Sequence, residues 1–240
     1  MAGKRQQSVD AALRALFDRI AAGASAEVLR TLKATPELAR QSLDEGATRA
    51  DWSSYFLFQI THGVYAGDTA LHVAAAAYQQ DVARALLDLG ANVSAANRRD
   101  ARPLHYAVDG APGVSRWDPR AQRAMVELLL GAGADVGAVT KEGTTPLHRA
   151  VRNRCADAVA ALLEGGADWR TKNKRGSTPL HLAVQTTGRG GTGAAEAQEQ
   201  QRAIVEMLLA AGARLTDRDA RGKTVQQSIT NAWIREWLQR

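Results

Sequence analysis

One octapeptide recurs along this chain in a fixed frame. Residues 143–150 read GTTPLHRA and residues 176–183 read GSTPLHLA, 33 positions later. GDTALHVA occupies 67–74 and DARPLHYA occupies 100–107. The histidines of the four copies, His72, His105, His148 and His181, are spaced by 33, 43 and 33 residues. A sequence that repeats itself at such a period is built from small units, each unable to bury its apolar face alone, so that neighbours must stack.

The octapeptide has a mechanical reading. Thr145 can serve as an N-cap, its hydroxyl accepting from a free amide of the first helical turn. Pro146 then stands at the first helical position, where a missing N–H costs nothing. Leu147 and Ala150 lie three apart and can face a core together. Thr178, Pro179, Leu180 and Ala183 repeat the arrangement. A metal role for the histidines is disfavoured, because ligands recurring once per unit are spread along a stack rather than gathered on one ion. Only His62 falls outside the motif.

Four copies of T-P-L-H-x-A in register at a period of 33 resemble the ankyrin repeat, over the chain from about Ser8 onward. The resemblance implies an all-α solenoid of helix–turn–helix units with β-turn or hairpin fingers. It implies that each histidine packs between repeats and bonds neighbouring backbone or hydroxyl groups. It also implies a non-catalytic protein-interaction module or scaffold that binds with its fingers and the inner helices of its concave side.

On this frame residues 1–7 are expected to be disordered and residues 8–240 to form a single array. Its parts are an N-terminal cap repeat (8–41), an aromatic-rich insertion (42–66), repeats at 67–96, 97–139, 140–172 and 173–218, and a C-terminal cap repeat (219–240). In the first cap Leu13, Leu16, Phe17 and Ile20 recur at helical spacing, Phe17 takes the histidine slot, and Ser25 can cap a second helix bearing Val28, Leu29 and Leu32. Repeat two carries Asp100 at the glycine position and Arg102 at the threonine position, so its finger is expected to be irregular. The ten extra residues between His105 and His148, and thirteen more after His181, fall between inner and outer helices. In the last repeat Val225, Gln226 and Gln227 replace Pro, Leu and His. Trp233 and Trp237, four apart, are expected to pack the final helix onto repeat four.

Charge is distributed unevenly. The net charge is +6. The finger segments 97–102, 140–143, 171–176 and 216–223 hold ten basic and four acidic residues, a balance of +6, so the rest of the chain is neutral. Through the resemblance, the expected partner-binding residues are Arg99, Arg102, Tyr106, Lys141, Arg149, Arg152, Lys172, Lys174 and Arg175. Arg149 and Arg152 are three apart on one inner helix and can point the same way. A basic face suits a partner protein with an acidic segment. Nucleic acid or another anionic ligand on the same edge is the alternative, weakened by interspersed Asp100, Glu142, Asp217 and Asp219 and by the absence of aromatic stacking positions there.

Secondary candidates lie elsewhere. The insertion holds Trp52, Tyr55, Phe56, Phe58 and Tyr65, residue types favoured at binding hot spots. The expected role of these rings is to fold back and close the first repeat. An enzyme or small-molecule binder would need a pocket under the loop 52–65. Trp117 and Arg189, with Arg116, Asp118, Asn153, Arg154 and Asp157, could form a surface at the turns between inner and outer helices. The stretch 186–193, TTGRGGTG, lacks the GxxxxGK-Ser/Thr pattern of a phosphate loop and reads as a flexible connection, with an anion or partner site at Arg189 as the alternative.

No catalytic trio, zinc spacing or paired carboxylates with a defined context is present, so no catalytic residue, metal or cofactor is expected. Cys155, the lone cysteine, excludes an intrachain disulfide and favours a reducing compartment. The N-terminus has no apolar run after its charges, and no stretch is long enough to span a bilayer. A cytoplasmic monomer without membrane association is the expectation.

Overall fold

The computed structural model describes residues 2–110, 112, 117–185, 195–230 and 232–239. The chain forms two compact units. One comprises Met1–Ala107 with Glu127–Asp135, and the other Val108–Val126 with Val136–Arg240.

The first unit opens with α1 (Ala2–Ala21) and α2 (Ser25–Ala34). Residues 1–7, expected to be disordered, fall largely within α1. Leu13, Leu16, Phe17 and Ile20 are fully buried on its inner face. Gly23 ends the run with φ +79°, a left-handed C-cap that glycine takes without strain. Ser25 is the first residue of α2 rather than its cap, and its hydroxyl donates to Gln79 Oε1 at 3.3 Å. Val28 and Leu32 are buried, whereas Leu29 is exposed.

The helix pair α3 (Ala70–Ala76) and α4 (Gln80–Asp88) follows, then α5 (Pro103–Ala107). Within this unit the inner helices α1, α3 and α5 lie side by side, and α2 lies beside α4. Small side chains permit this spacing: all seven residues of α3, ALHVAAA, are buried. The aromatic-rich insertion is stitched to the unit through its backbone. Leu43 N–H donates to Asp68 C=O (2.9 Å) and Gly67 N–H to Leu43 C=O (2.7 Å), while Ala47 N–H donates to Val64 C=O (2.8 Å) within the insertion. It also makes the one hairpin among the described residues, β1 (Phe56–Leu57) against β2 (His62–Gly63).

Helix α6 (Pro119–Gly131) crosses the boundary between the units. The second unit then pairs α7 (Pro146–Asn153) with α8 (Ala156–Glu164) and α9 (Pro179–Ala183) with α10 (Ala195–Ala210). Here α7 lies beside α9 and α8 beside α10. Leu147, Val159, Leu162, Leu180, Val205 and Leu208 are at most 1% exposed, each contributing roughly 1.5–3 kcal/mol on burial. The long connections from α5 to α6 and from α9 to α10 fall where both insertions were expected. The last repeat shrinks to a 3-10 turn (Gln226–Ser228) and α11 (Ala232–Trp237). Trp233 and Trp237 lie 6.4 Å apart, and Arg202 of α10 covers the Trp237 ring at 5.4 Å, which ties α11 to repeat four. No helix among the described residues is long and apolar enough to cross a membrane.

Candidate functional site

The histidines set the frame. Thr145 accepts from His148 N–H (3.3 Å), while the imidazole Nδ1 accepts from Thr145 N–H (3.4 Å) and lies 2.8 Å from its hydroxyl. With Nδ1 accepting, Nε2 carries the proton and donates to Ser177 C=O at 3.0 Å, one repeat onward. His72 reaches Ala101 C=O (3.2 Å) and His181 reaches Lys223 C=O (3.3 Å) by the same arrangement. Burial lowers all three imidazoles below the ordinary 6.5, because charging them would strip solvent; Asp68, 3.8 Å from His72 Nε2, and Asp219 and Asp217 near His181 oppose the shift without reversing it. They are structural staples. Among the described residues no cluster of three potential ligands could hold a metal ion.

His72, His148 and His181 each bond to the base of the next finger, and the fingers are held by one rule. Asn97 Oδ1 accepts from the amides of Arg99 (2.9 Å) and Ala101 (3.1 Å). Asn173 accepts from Arg175 and Ser177, and Asp219 from Arg221 and Lys223. The residue before the closing pair has positive φ in every case: Asp100 (57°), Gly143 (69°), Gly176 (75°) and Gly222 (75°). The finger at 97–102, expected to be irregular, therefore keeps the common form. Aspartate tolerates the left-handed conformation better than most residues, and Arg102 N–H still donates to His105 Nδ1 at 3.1 Å. Neighbouring fingers touch: Lys174 N–H donates to Glu142 C=O (3.1 Å), and a Cβ on Gly176 would sit 2.1 Å from that of Ala220.

This scaffold sorts the expected basic residues into two groups. Lys141, Lys172, Lys174 and Arg175 stand exposed on the fingers of the second unit, and Arg152 is exposed near the end of α7. None of the five makes an ion pair within 4 Å among the described residues. Arg149 differs. Its Nε donates to Asp109 Oδ1 at 2.6 Å and its Nη2 to Asp109 Oδ2, a fork-to-fork pair half withdrawn from solvent. Asn153 Nδ2 joins the same carboxylate at 3.0 Å. The expected Arg149–Arg152 patch is thus split, because the first member locks the start of the α5–α6 connection onto α7.

Three expected site residues lie in the first unit. Arg102 pairs with Asp135 at 3.2 Å. Arg99 is exposed but engaged, donating to Tyr65 Oη at 3.0 Å with its guanidinium 5.0 Å from the ring centre. Tyr106 is not a surface residue at all: it is 1% exposed. Its hydroxyl donates to Asp68 Oδ2 (2.7 Å), and Asn97 Nδ2 donates to both Tyr106 Oη and Asp68 Oδ1 at 2.9 Å. Asp68 is completely buried and also accepts from Tyr65 N–H.

The secondary candidates divide likewise. In the insertion Leu57, His62 and Val64 turn inward, Tyr55, Phe56 and Tyr65 are half-buried, and Trp52 and Phe58 remain 55% and 68% exposed. The rings fold back only in part, as an edge-to-face row from Trp52 to Phe56 (5.4 Å) to Phe58 (5.0 Å). Tyr55 Oη meets Glu45 at 3.3 Å and Arg14 lies over its ring. The cavity beneath, lined by Arg14, Phe17, Leu43 and Tyr55 among others, has about 40 Å³ of interior, room for two or three waters. Trp117 is half-buried, its indole N–H donating to Gln122 at 3.0 Å and its ring folded over Gly110. Arg116, Arg189 and the stretch 186–193 lie outside the described residues. Cys155 is fully buried beside Gly110, and burial pushes its thiol up to about 12.

A family model described as ankyrin repeats, in three copies, matches residues 120–219, and one described as ankyrin repeat matches 66–98. No curated protein matches the chain.

Proposed function

Because the chain belongs to the ankyrin-repeat family, whose arrays generally mediate protein–protein interaction, we propose that it binds a partner protein through the basic finger edge of its second unit. Lys141, Lys172, Lys174 and Arg175 carry the contact, with Arg152 beside them on α7. The observation behind this reading is the sorting of the cations. Arg102 and Arg149 are paired with Asp135 and Asp109, whereas these five are exposed without an ion pair among the described residues. Several unpaired cations on adjacent fingers raise a local positive potential, which attracts and orients an acidic segment and makes association sensitive to salt. Tyr106 has no part in the contact, and Arg149 serves to hold α7 in place. The role is non-catalytic, and a reducing, cytoplasmic setting suits an exposed lysine edge and a buried free thiol.

The test compares proteins captured from native lysate by the wild-type chain and by Lys172→Glu/Lys174→Glu, each with and without nuclease. Both positions are exposed, so the variant should fold normally. A discrete protein captured by wild type and lost in the variant is the expected result. Capture retained by the variant refutes the basic-edge site. Capture abolished by nuclease replaces the protein partner with nucleic acid on the same edge.

A further inference from the structure

The turn between α7 and α8 holds a charge that no described residue balances. Arg154 is 3% exposed, yet Nε, Nη1 and Nη2 all lack a hydrogen-bond partner. Nearby acceptors are committed elsewhere or out of reach. Asp109 is taken by Arg149 and Asn153, and Asp157, three residues on, makes no ion pair with Arg154. Burial alone acts on the group, lowering its affinity for its proton, with no carboxylate opposing. An arginine remains charged even so, and a buried charge left unpaired is strongly destabilising.

The backbone adds to the oddity. Arg154 has φ 60° and ψ 38°, a left-handed conformation that costs a non-glycine residue. An arginine placed where glycine would be easier, with its head group buried and unpaired, is poor design for packing and good design for holding a counter-ion. The helix α8 starts two residues later. Its Ala156 amide is taken by Gln200 Oε1, while the Asp157 and Ala158 amides of its first turn have no acceptor among the described residues. This is the positive end of a nine-residue helix.

We propose that Arg154 is the receptor for a small oxyanion, phosphate or carboxylate, bound in the α7–α8 turn. The planar guanidinium offers paired parallel donors to such a group. Every guanidinium nitrogen is covered in the ligand-free chain, so the turn has to open locally to admit the oxyanion, and a small ion needs the least opening. The site is separate from the finger edge: α7 spans eight residues, about 12 Å, between Thr145 at the finger end and Arg154 at the other.

Thermal unfolding of the full chain tests this, in chloride, in inorganic phosphate and in acetate at equal ionic strength and pH 7.5. Phosphate at a hundredfold excess over its Kd should raise the wild-type midpoint by about 5–10 °C over chloride. Arg154→Gly, which suits the left-handed backbone, should lose that rise, and Arg154→Lys should bind phosphate at least about tenfold more weakly in calorimetric titration. Acetate acting like phosphate assigns the site to carboxylates as well. Lys172→Glu/Lys174→Glu should keep the rise, and Arg154→Gly should keep partner capture, so the two sites fail independently. No phosphate-specific rise in wild type, or an equal rise in wild type and Arg154→Gly, overturns the proposal.

Discussion

Acid should loosen this protein well above the range in which carboxylates titrate, and the buried histidines set the size of the effect. His72, His148 and His181 are 0% exposed, and burial holds each below its ordinary value of 6.5. In the unfolded chain each takes up a proton below pH 6.5, while the folded ring stays neutral to lower pH. The unfolded state therefore binds more protons in that window. The stability is fully present above 6.5 and is lost as pH falls below it. Rings that stay neutral throughout would each contribute a loss of about 1.4 kcal/mol between pH 7.5 and 5.5, about 4 kcal/mol for the three, as an upper limit. The chain supplies its own control. In the last repeat Gln227 stands in the histidine slot, its Oε1 accepting from Thr224 N–H (2.9 Å) and its N–H donating to Thr224 Oγ1 (3.1 Å). His148→Gln should keep the cap, forfeit the bond to Ser177 at a cost of about 1 kcal/mol at pH 7.5, and remove one titrating group. Urea unfolding at pH 7.5, 6.5 and 5.5 should then show a loss up to about 1.4 kcal/mol smaller in the variant than in wild type. An identical acid loss in both chains would refute the assignment of the effect to these rings.

Other outcomes follow from the same structure. Tyr106→Phe removes the hydroxyl bonded to buried Asp68 and should cost about 1–3 kcal/mol in urea unfolding. Arg149→Ala should destabilise by about 2–4 kcal/mol by leaving Asp109 half-buried without its fork, whereas Arg152→Ala should change unfolding by less than about 0.5 kcal/mol. Cys155 should resist a thiol reagent at pH 8 until the chain unfolds, measured as labelling across a urea series, because its thiol is buried and far from ionising.

The repeats were legible because their signals are local. Thr145, Pro146, Leu147 and His148 sit within four residues, so period and capping chemistry predict α7 without knowledge of its neighbours. Both interhelical insertions could be placed by counting. The surroundings of Tyr106 and Arg149 were not legible, because they depend on partners far along the chain. Asp68 is 38 residues from Tyr106, and Asp109 is 40 from Arg149. A side chain's position on a helix face does not reveal whether a distant carboxylate will claim it. Asp100 was misread for a different reason: a missing glycine removes ease, not possibility, and Asn97 supplies bonds that hold the turn in place. Arg154 was visible only as a charge in a turn, since burial without a partner is a property of packing.

The histidine staples also impose an order in time. Each ring's bond to its own threonine spans three residues and can form as soon as its helix exists. Each ring's second bond reaches forward, 29 residues for His72 and His148 and 42 for His181. On a ribosome the first contact is available immediately, and the second waits for chain that has not yet been made. A newly emerged repeat therefore holds its shape with one nitrogen and waits with the other, and the nascent protein fastens one repeat behind its growing end.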